Sequence, residues 1–184
     1  LIVLGNKDGS VYETHLEDEY LIVDAPDNYE SLPLKVQSAF KFIYKNYGEG
    51  SNCFKVDDDL KIKDGKKLLN LMSRLVETNL KYSGYCGNNP YYSDRTWHFG
   101  KCQNKTQSRK AYGRRHRSPY AYGPFYYLSY CALETFVIAT LKFPDEIQGQ
   151  IYEDMFVGFT LFEEGIKVTA FDPIEWSSAL MNDW

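Results

Sequence analysis

The chain has 184 residues, of which 43% are hydrophobic and 25% charged, with a formal charge of -4 and an unusual wealth of rings in 16 tyrosines and 11 phenylalanines. That is enough for one domain with a sizeable core and too little for two, and the composition excludes a disordered chain. The mild acidity argues against a general nucleic-acid binder, and no apolar run approaches the roughly 18 to 20 residues of a membrane span.

The sequence opens on "LIVLG" without the basic-then-apolar order of a signal peptide, so a fragment or domain of a longer chain is expected, with any membrane anchor upstream. That run, ended by Gly5, has the pattern of a strand buried on both faces of a parallel sheet, and "EYLIVDA" (Glu19 to Ala25), stopped by Pro26, repeats it. The polar stretch between them predicts a short helix, giving a βαβ order. From Ser31, Leu32, Leu34, Val36, Ala39, Phe40, Ile43 and Tyr44 recur at helical steps, with Pro33 acceptable in the first turn. "CFKV" (Cys53 to Val56) predicts a third buried strand, and an amphipathic helix follows from Asp64. Tyr82 to Tyr127 is dense in Gly, Asn, Tyr, Ser and Arg and predicts loops with short strands. Helices are expected from Ser129 to about Leu141 and from about Glu153 to Gly165, then a short strand over Val168 to Phe171.

Asp57, Asp58 and Asp59 stand at the carboxyl end of the "CFKV" strand, where open α/β sheets place their ligands. Three adjacent negative charges beside apolar residues ask for a compensating cation, and carboxylate oxygens suit hard ions such as Mg²⁺ or Mn²⁺. In an extended stretch, alternation sends Asp57 and Asp59 to one side and Asp58 to the other, which makes Asp-x-Asp the functional unit. A solvated acidic turn is the plainer reading; the strand and the α/β context favour the site.

Glu153 and Asp154 precede a helical run, where acidic residues suit the helix dipole and one could serve as a general base; periodicity does not choose between these roles. Lys101 to Arg117 carries seven Lys or Arg and His116 with no acidic residue, fit either to close over a diphosphate or to form a solvated loop. "SPYAYGPFYYLS" offers ring faces to a sugar, or core. Cys53, Cys86, Cys102 and Cys131 contain no CxxC pair, which makes a zinc site improbable; Cys86 and Cys102 flank a loop and suit either a disulfide or free thiols. "NKT" at Asn104 is a glycosylation sequon.

In order along the chain, "YESLPLK", "FKVDDD", "SPYAYGPFYYLS" and "YEDMFVG" resemble the β-1,3-galactosyltransferase family, which includes the fringe-type enzymes. The match runs from about Leu4 to Ile166: Asp27 to Lys35 resembles the family's D-x-Y-x-N-L-x-x-K, Lys55 with Asp57 to Asp59 its K-x-D-D-D, Pro119 to Ser129 its P-Y-C-S-G-x-G-Y element, and Glu153 to Gly158 its E-D-V-x-x-G. The resemblance implies a GT-A-like α/β fold, a mixed and mostly parallel sheet flanked by helices, without the family's first nucleotide-binding strand. It implies a metal-dependent, inverting transfer of a hexose from a UDP-sugar to a glycan hydroxyl, forming a β-1,3 linkage, in a Golgi or secretory lumen. By the same resemblance Asp57 and Asp59 hold Mn²⁺ or Mg²⁺, with Asp59 the direct ligand. Asp57, Asp58 and Lys35 face the nucleotide-sugar, and Asp154 is the base.

Ala121 stands where the family has Cys and Phe125 where it has Gly, which implies a reshaped acceptor pocket; no C-terminal His is present to complete a metal shell, leaving Asp172, Glu175 or water. These departures keep a second reading open, an inactive relative that binds glycan or nucleotide without turnover. A metal-dependent phosphoryl-transfer enzyme on the same acidic cluster is less favoured for want of a P-loop.

Overall fold

Alternation, rather than continuous burial, organises the first sheet of the computed structural model, which describes residues 2–6, 13–86, 96–113 and 118–182. β1 (Ile2–Asn6) pairs in parallel with β3 (Tyr20–Pro26), which pairs antiparallel with β2 (His15–Glu17). Leu21, Val23 and Ala25 of β3 point to one side and pack with Ala39 of helix α1 (Leu32–Tyr47), while Tyr20 and Asp24 face out. Burial on both faces is therefore corrected for both runs: β1 lies at the sheet edge with Ile2 and Val3 exposed, and β3 is covered on one face. The expected intervening helix is replaced, from residue 13 on, by β2 and a tight turn whose Asp18 takes a φ of 53°; residues 7–12 lie outside the described part.

α1 begins with Pro33 in its first turn and ends at Gly48, whose φ of 68° favours a residue without Cβ. It leads to β4 (Cys53–Val56), β5 (Leu60–Ile62) and α2 (Gly65–Glu77), where Asp64 Oδ1 accepts the Lys67 N–H at 3.1 Å as an N-terminal cap. β6 (Tyr82–Gly84), β7 (Phe125–Leu128), α3 (Tyr130–Lys142), α4 (Glu153–Glu163), β8 (Thr169–Ala170), α5 (Pro173–Ala179) and β9 (Leu180–Asn182) complete the order.

The second sheet runs β4-β7-β6-β8, with β7 fully buried in its interior. The two-residue period of a strand divides β7 between two cores. Tyr126 and Leu128 join Phe40, Phe136, Phe156, Val157 and Leu161 beneath α1, α3 and α4, while Phe125 and Tyr127 join Leu71, Leu75 and Phe171 on the side of α2. Edge-to-face rings, Phe40 on Phe136 at 5.5 Å and Phe136 on Phe156 at 5.6 Å, knit the three helices together.

The mixed α/β class with sheets flanked by helices stands, consistent with a GT-A-like fold. The pairing is less parallel than expected: among the described residues β1–β3 and β6–β8 are parallel, whereas β2–β3, β4–β7, β6–β7 and β5–β9 are antiparallel. No described helix is long and apolar enough to cross a membrane.

Candidate active site

The acidic triplet is a turn. β4 ends at Val56, the Leu60 N–H returns to the Asp57 carbonyl at 3.4 Å, and Asp58 and Asp59 occupy the exposed corner. Strand alternation therefore does not sort these side chains; the turn does. The Asp57 N–H donates to the Pro124 carbonyl at 2.9 Å, which moors the start of the turn to the segment leading into β7.

From the last residues of β4, Lys55 reaches inward. Its ammonium donates to an Asp57 carboxylate oxygen and to the Gly123 carbonyl at 2.6 Å, and it stands 3.1 Å from Glu153 Oε1 in the first turn of α4. Gly123 in turn donates its N–H to Asp154 Oδ2 at 3.0 Å, while Asp154 Oδ1 accepts the Met155 N–H at 2.7 Å. A Cβ on Gly123 would lie 2.9 Å from Glu153 Oε1, so any larger residue here would have to push that carboxylate aside. Gly158 serves the same closeness one turn further along α4, where a Cβ would lie 2.3 Å from that of Tyr120.

Charge is crowded here. Burial and the neighbouring Glu153 carboxylate push the Asp154 carboxyl up to about 8, against the pull of the Met155 and Gly123 N–H groups and of Lys55. Burial also raises Asp57; Lys55 opposes it, and Glu153 and Asp59 add to it. Lys55 is raised in spite of its burial, because Glu153 and Asp57 hold its proton. The hydroxyls of Tyr29 and Tyr120 are pushed up by burial and by the charges of Glu153 and Asp154, which places both rings around the carboxylate pair.

A loop from Thr96 to Gly113 closes one side. Glu30 accepts the N–H groups of Gln103 at 3.1 Å and Asn104 at 2.9 Å. His98 is fully buried, with Nε2 facing the Gln107 and Lys110 carbonyls and Nδ1 2.8 Å from the Tyr152 hydroxyl. Because carbonyls only accept, Nε2 carries the proton and the tyrosine donates to Nδ1. The Lys101 ammonium lies 3.9 Å from the Trp97 ring centre and 5.5 Å from that of Tyr29, within the field of Asp59. Of the basic segment, residues 114–117, including His116, lie outside the described part.

The structure thus brings Asp57, Asp58, Asp59 and Asp154 into one neighbourhood. Lys35, on α1, instead bonds Asp27 at 3.1 Å, where Asp27 also accepts the Gly5 N–H at 3.3 Å beside the ends of β1 and β3. Sequence reasoning missed Lys55 and Gly123 as working parts of the site, although both sat inside the quoted motifs; the signal was a lysine near the end of a strand, two residues ahead of an acidic run. Ala121 and Phe125 are both buried, one in each core. Asp172 accepts the Ile174 N–H at 2.9 Å, and Glu175 pairs with Arg74. Cys86 and Cys102 are free thiols rather than a disulfide, and burial pushes Cys86 up to about 11.

Among the described residues no group of three or more His, Cys, Asp or Glu side chains could hold a metal ion alone. What the turn offers is narrower: hard carboxylate oxygens on the part-buried Asp57 and on an exposed Asp59, with Glu153 nearby adding negative charge. That donor set fits a divalent ion shared with a ligand's phosphate oxygens, and does not fit a resident ion caged by protein.

The acidic turn and the helix-borne carboxylate pair thus share one hydrogen-bonded frame. The chain belongs to the galactosyltransferase family, whose profile, described as Galactosyltransferase, matches residues 6–172. The family carries glycosyltransferase activity, which takes a donor and an acceptor substrate. A search of curated proteins finds no match.

Proposed function

We propose that the chain is an inverting glycosyltransferase that moves a hexose from a UDP-sugar to a glycan hydroxyl, forming a β-1,3 linkage. The observation that carries this reading is the hydrogen-bonded path from the acidic turn through Lys55 and Gly123 to Asp154. It supports the reading because it links the residues assigned here to the donor with the residue assigned here as the base.

In this reading Asp59 and Asp57 hold Mn²⁺ or Mg²⁺, which when bound neutralises charge on the diphosphate. Asp57 and Asp58 face the nucleotide-sugar, and Lys35 reaches the diphosphate by leaving Asp27. Asp154 takes the proton of the acceptor hydroxyl as its oxygen bonds to the anomeric carbon; the bond to UDP breaks, and UDP departs with the electron pair. A single displacement inverts the configuration. The raised carboxyl of Asp154 supports the role, since a base with elevated proton affinity is the stronger base once ionised. Residence in a Golgi or secretory lumen belongs to the same reading, supported by the family and by the exposed sequon at Asn104.

The test is calorimetric titration of UDP and UDP-hexoses with and without Mn²⁺, on the wild type and on Asp59→Ala. Binding that requires both Mn²⁺ and Asp59, followed by transfer to a glycan acceptor, is the expected result. Binding without turnover would leave an inactive relative, and absence of any UDP binding would return the triplet to a solvated turn.

A further inference from the structure

Lys55 meets acceptors from three separate places in the chain: an Asp57 carboxylate oxygen in the acidic turn, the Gly123 carbonyl before β7, and Glu153 Oε1 at the start of α4. An ammonium has three N–H donors and no acceptor; here it hydrogen-bonds Asp57 and the Gly123 carbonyl and holds Glu153 as an ion pair. The Lys55 side chain is 14% exposed and that of Glu153 9%, so water screens the attraction only weakly. Glu153 Oε1 has no hydrogen bond of good geometry, which leaves its charge leaning on the nearby ammonium.

Gly123 is the pivot of this arrangement. Its carbonyl is held by Lys55 and its N–H holds Asp154, so a displacement of the ammonium displaces the donor that fixes the candidate base. We propose that Lys55 is a positioning residue for glycosyl transfer: it ties the acidic turn to the Gly123 backbone and to α4, and thereby fixes Asp154 relative to the donor. The proposal rests on the transferase reading of this site, and it assigns Lys55 no contact with substrate. A lysine is needed rather than an arginine, because a compact point charge can serve two acceptors and an ion-pair partner converging from three directions, which a planar fork cannot.

Lys55→Met alone strands the buried Glu153 charge and risks misfolding. The informative variant is therefore Lys55→Met combined with Glu153→Gln, which removes both charges. Melting temperature, backbone amide exchange at Gly123, and steady-state turnover of UDP-galactose with Mn²⁺ are measured on it beside the wild type and Lys55→Arg. The expected result is a melting temperature within a few degrees of wild type, Gly123 exchange faster by about tenfold or more, and kcat lower by roughly 100-fold with KM for UDP-galactose changed by less than about threefold. Lys55→Arg is expected to restore neither exchange protection nor kcat.

A double variant with wild-type protection at Gly123, or one whose kcat recovers together with its melting temperature, overturns the proposal and makes Lys55 a mere neutraliser of Glu153. Full rescue by arginine overturns it as well, since charge alone would then suffice. If the wild type turns over none of the UDP-hexoses while Gly123 loses protection in the double variant, the transferase reading falls and the positioning of Gly123 and Asp154 by Lys55 stands.

Discussion

The molecule carries acidic neighbours in two settings. Asp58 and Asp59 stand exposed at the corner of a turn, whereas Glu153 is buried and Asp154 partly so at the head of α4, each against Gly123. The residue chemistry is nearly the same, and the environment makes the difference. At the corner, water solvates each charge and leaves its oxygens open to a cation. Under α4, desolvation and mutual repulsion raise the proton affinity of Asp154 while backbone N–H groups fix its oxygens in place. One setting suits capture of an ion, and the other suits movement of a proton.

The sharpest way to break that contrast is Asp154→Asn, which keeps shape and removes basicity. Turnover should fall by about 10² to 10⁴, the range that general base catalysis contributes, while UDP binding measured by calorimetry is retained. A variant that keeps wild-type kcat would move the base elsewhere.

Acidity offers the next test. A base raised to about 8 must lose its proton to work, so kcat should climb about tenfold per pH unit on the acid side and level off above about 8. Stability runs the other way. A carboxyl whose folded-state affinity exceeds its unfolded one favours the fold below the ordinary carboxylate range, and that contribution is lost as pH rises through about 8. Lys55, Glu153, Tyr29 and Tyr120 all bear on the same group. The asparagine gives up one of the two N–H acceptors at every pH, so it is the change with pH that reads the titration: the variant's melting temperature relative to wild type should rise from acid toward pH 8. Parallel curves would show that Asp154 is ordinary.

At the exposed corner the expectation is reversed: Asp59→Ala should weaken Mn²⁺-dependent UDP binding by about tenfold or more, yet alter stability by no more than about 0.5 kcal/mol, as for most surface substitutions. A large loss of stability with binding intact would make the turn structural.

How far the sequence disclosed these settings follows from what each depends on. α1, α2, α3 and α4 were legible because helical periodicity and caps such as Ser129, whose hydroxyl accepts the Ala132 N–H, are local signals. β1 and β3 were recognisable as strands, but their one-sided cover depends on Ala39 of a later helix. β5 ("LKI") and β9 ("LMN"), which pair with each other, were not legible, because neither three-residue run announces itself without its partner. The site divides likewise. Asp57 to Asp59 and Asp154 stand in recognisable motifs, whereas the convergence of Lys55, Gly123 and Glu153 is made by segments up to 98 positions apart (153 minus 55) and exists only in the fold.

The smallest expected effect concerns the loop that brings Lys101 beside Asp59. Glu30 holds it through the N–H groups of Gln103 and Asn104, and these donors outweigh burial and lower the carboxyl below its ordinary value. A depressed carboxyl stabilises its folded partners above its unfolded value and releases them as pH falls through the folded one. Glu30→Gln keeps an oxygen for one N–H but loses the charge and the second acceptor. Tryptic cleavage after Lys101, Lys105 and Lys110 should quicken by only a few-fold near neutral pH, since charge-assisted bonds are about twice as strong as neutral ones. Amide exchange at Gln103 and Asn104 should rise with it, and the gap between variant and wild type should narrow in acid as Glu30 itself takes a proton. Equal rates at neutral pH would mean that the buried His98, bonded to Tyr152 and two loop carbonyls, is sufficient to hold the loop against α4.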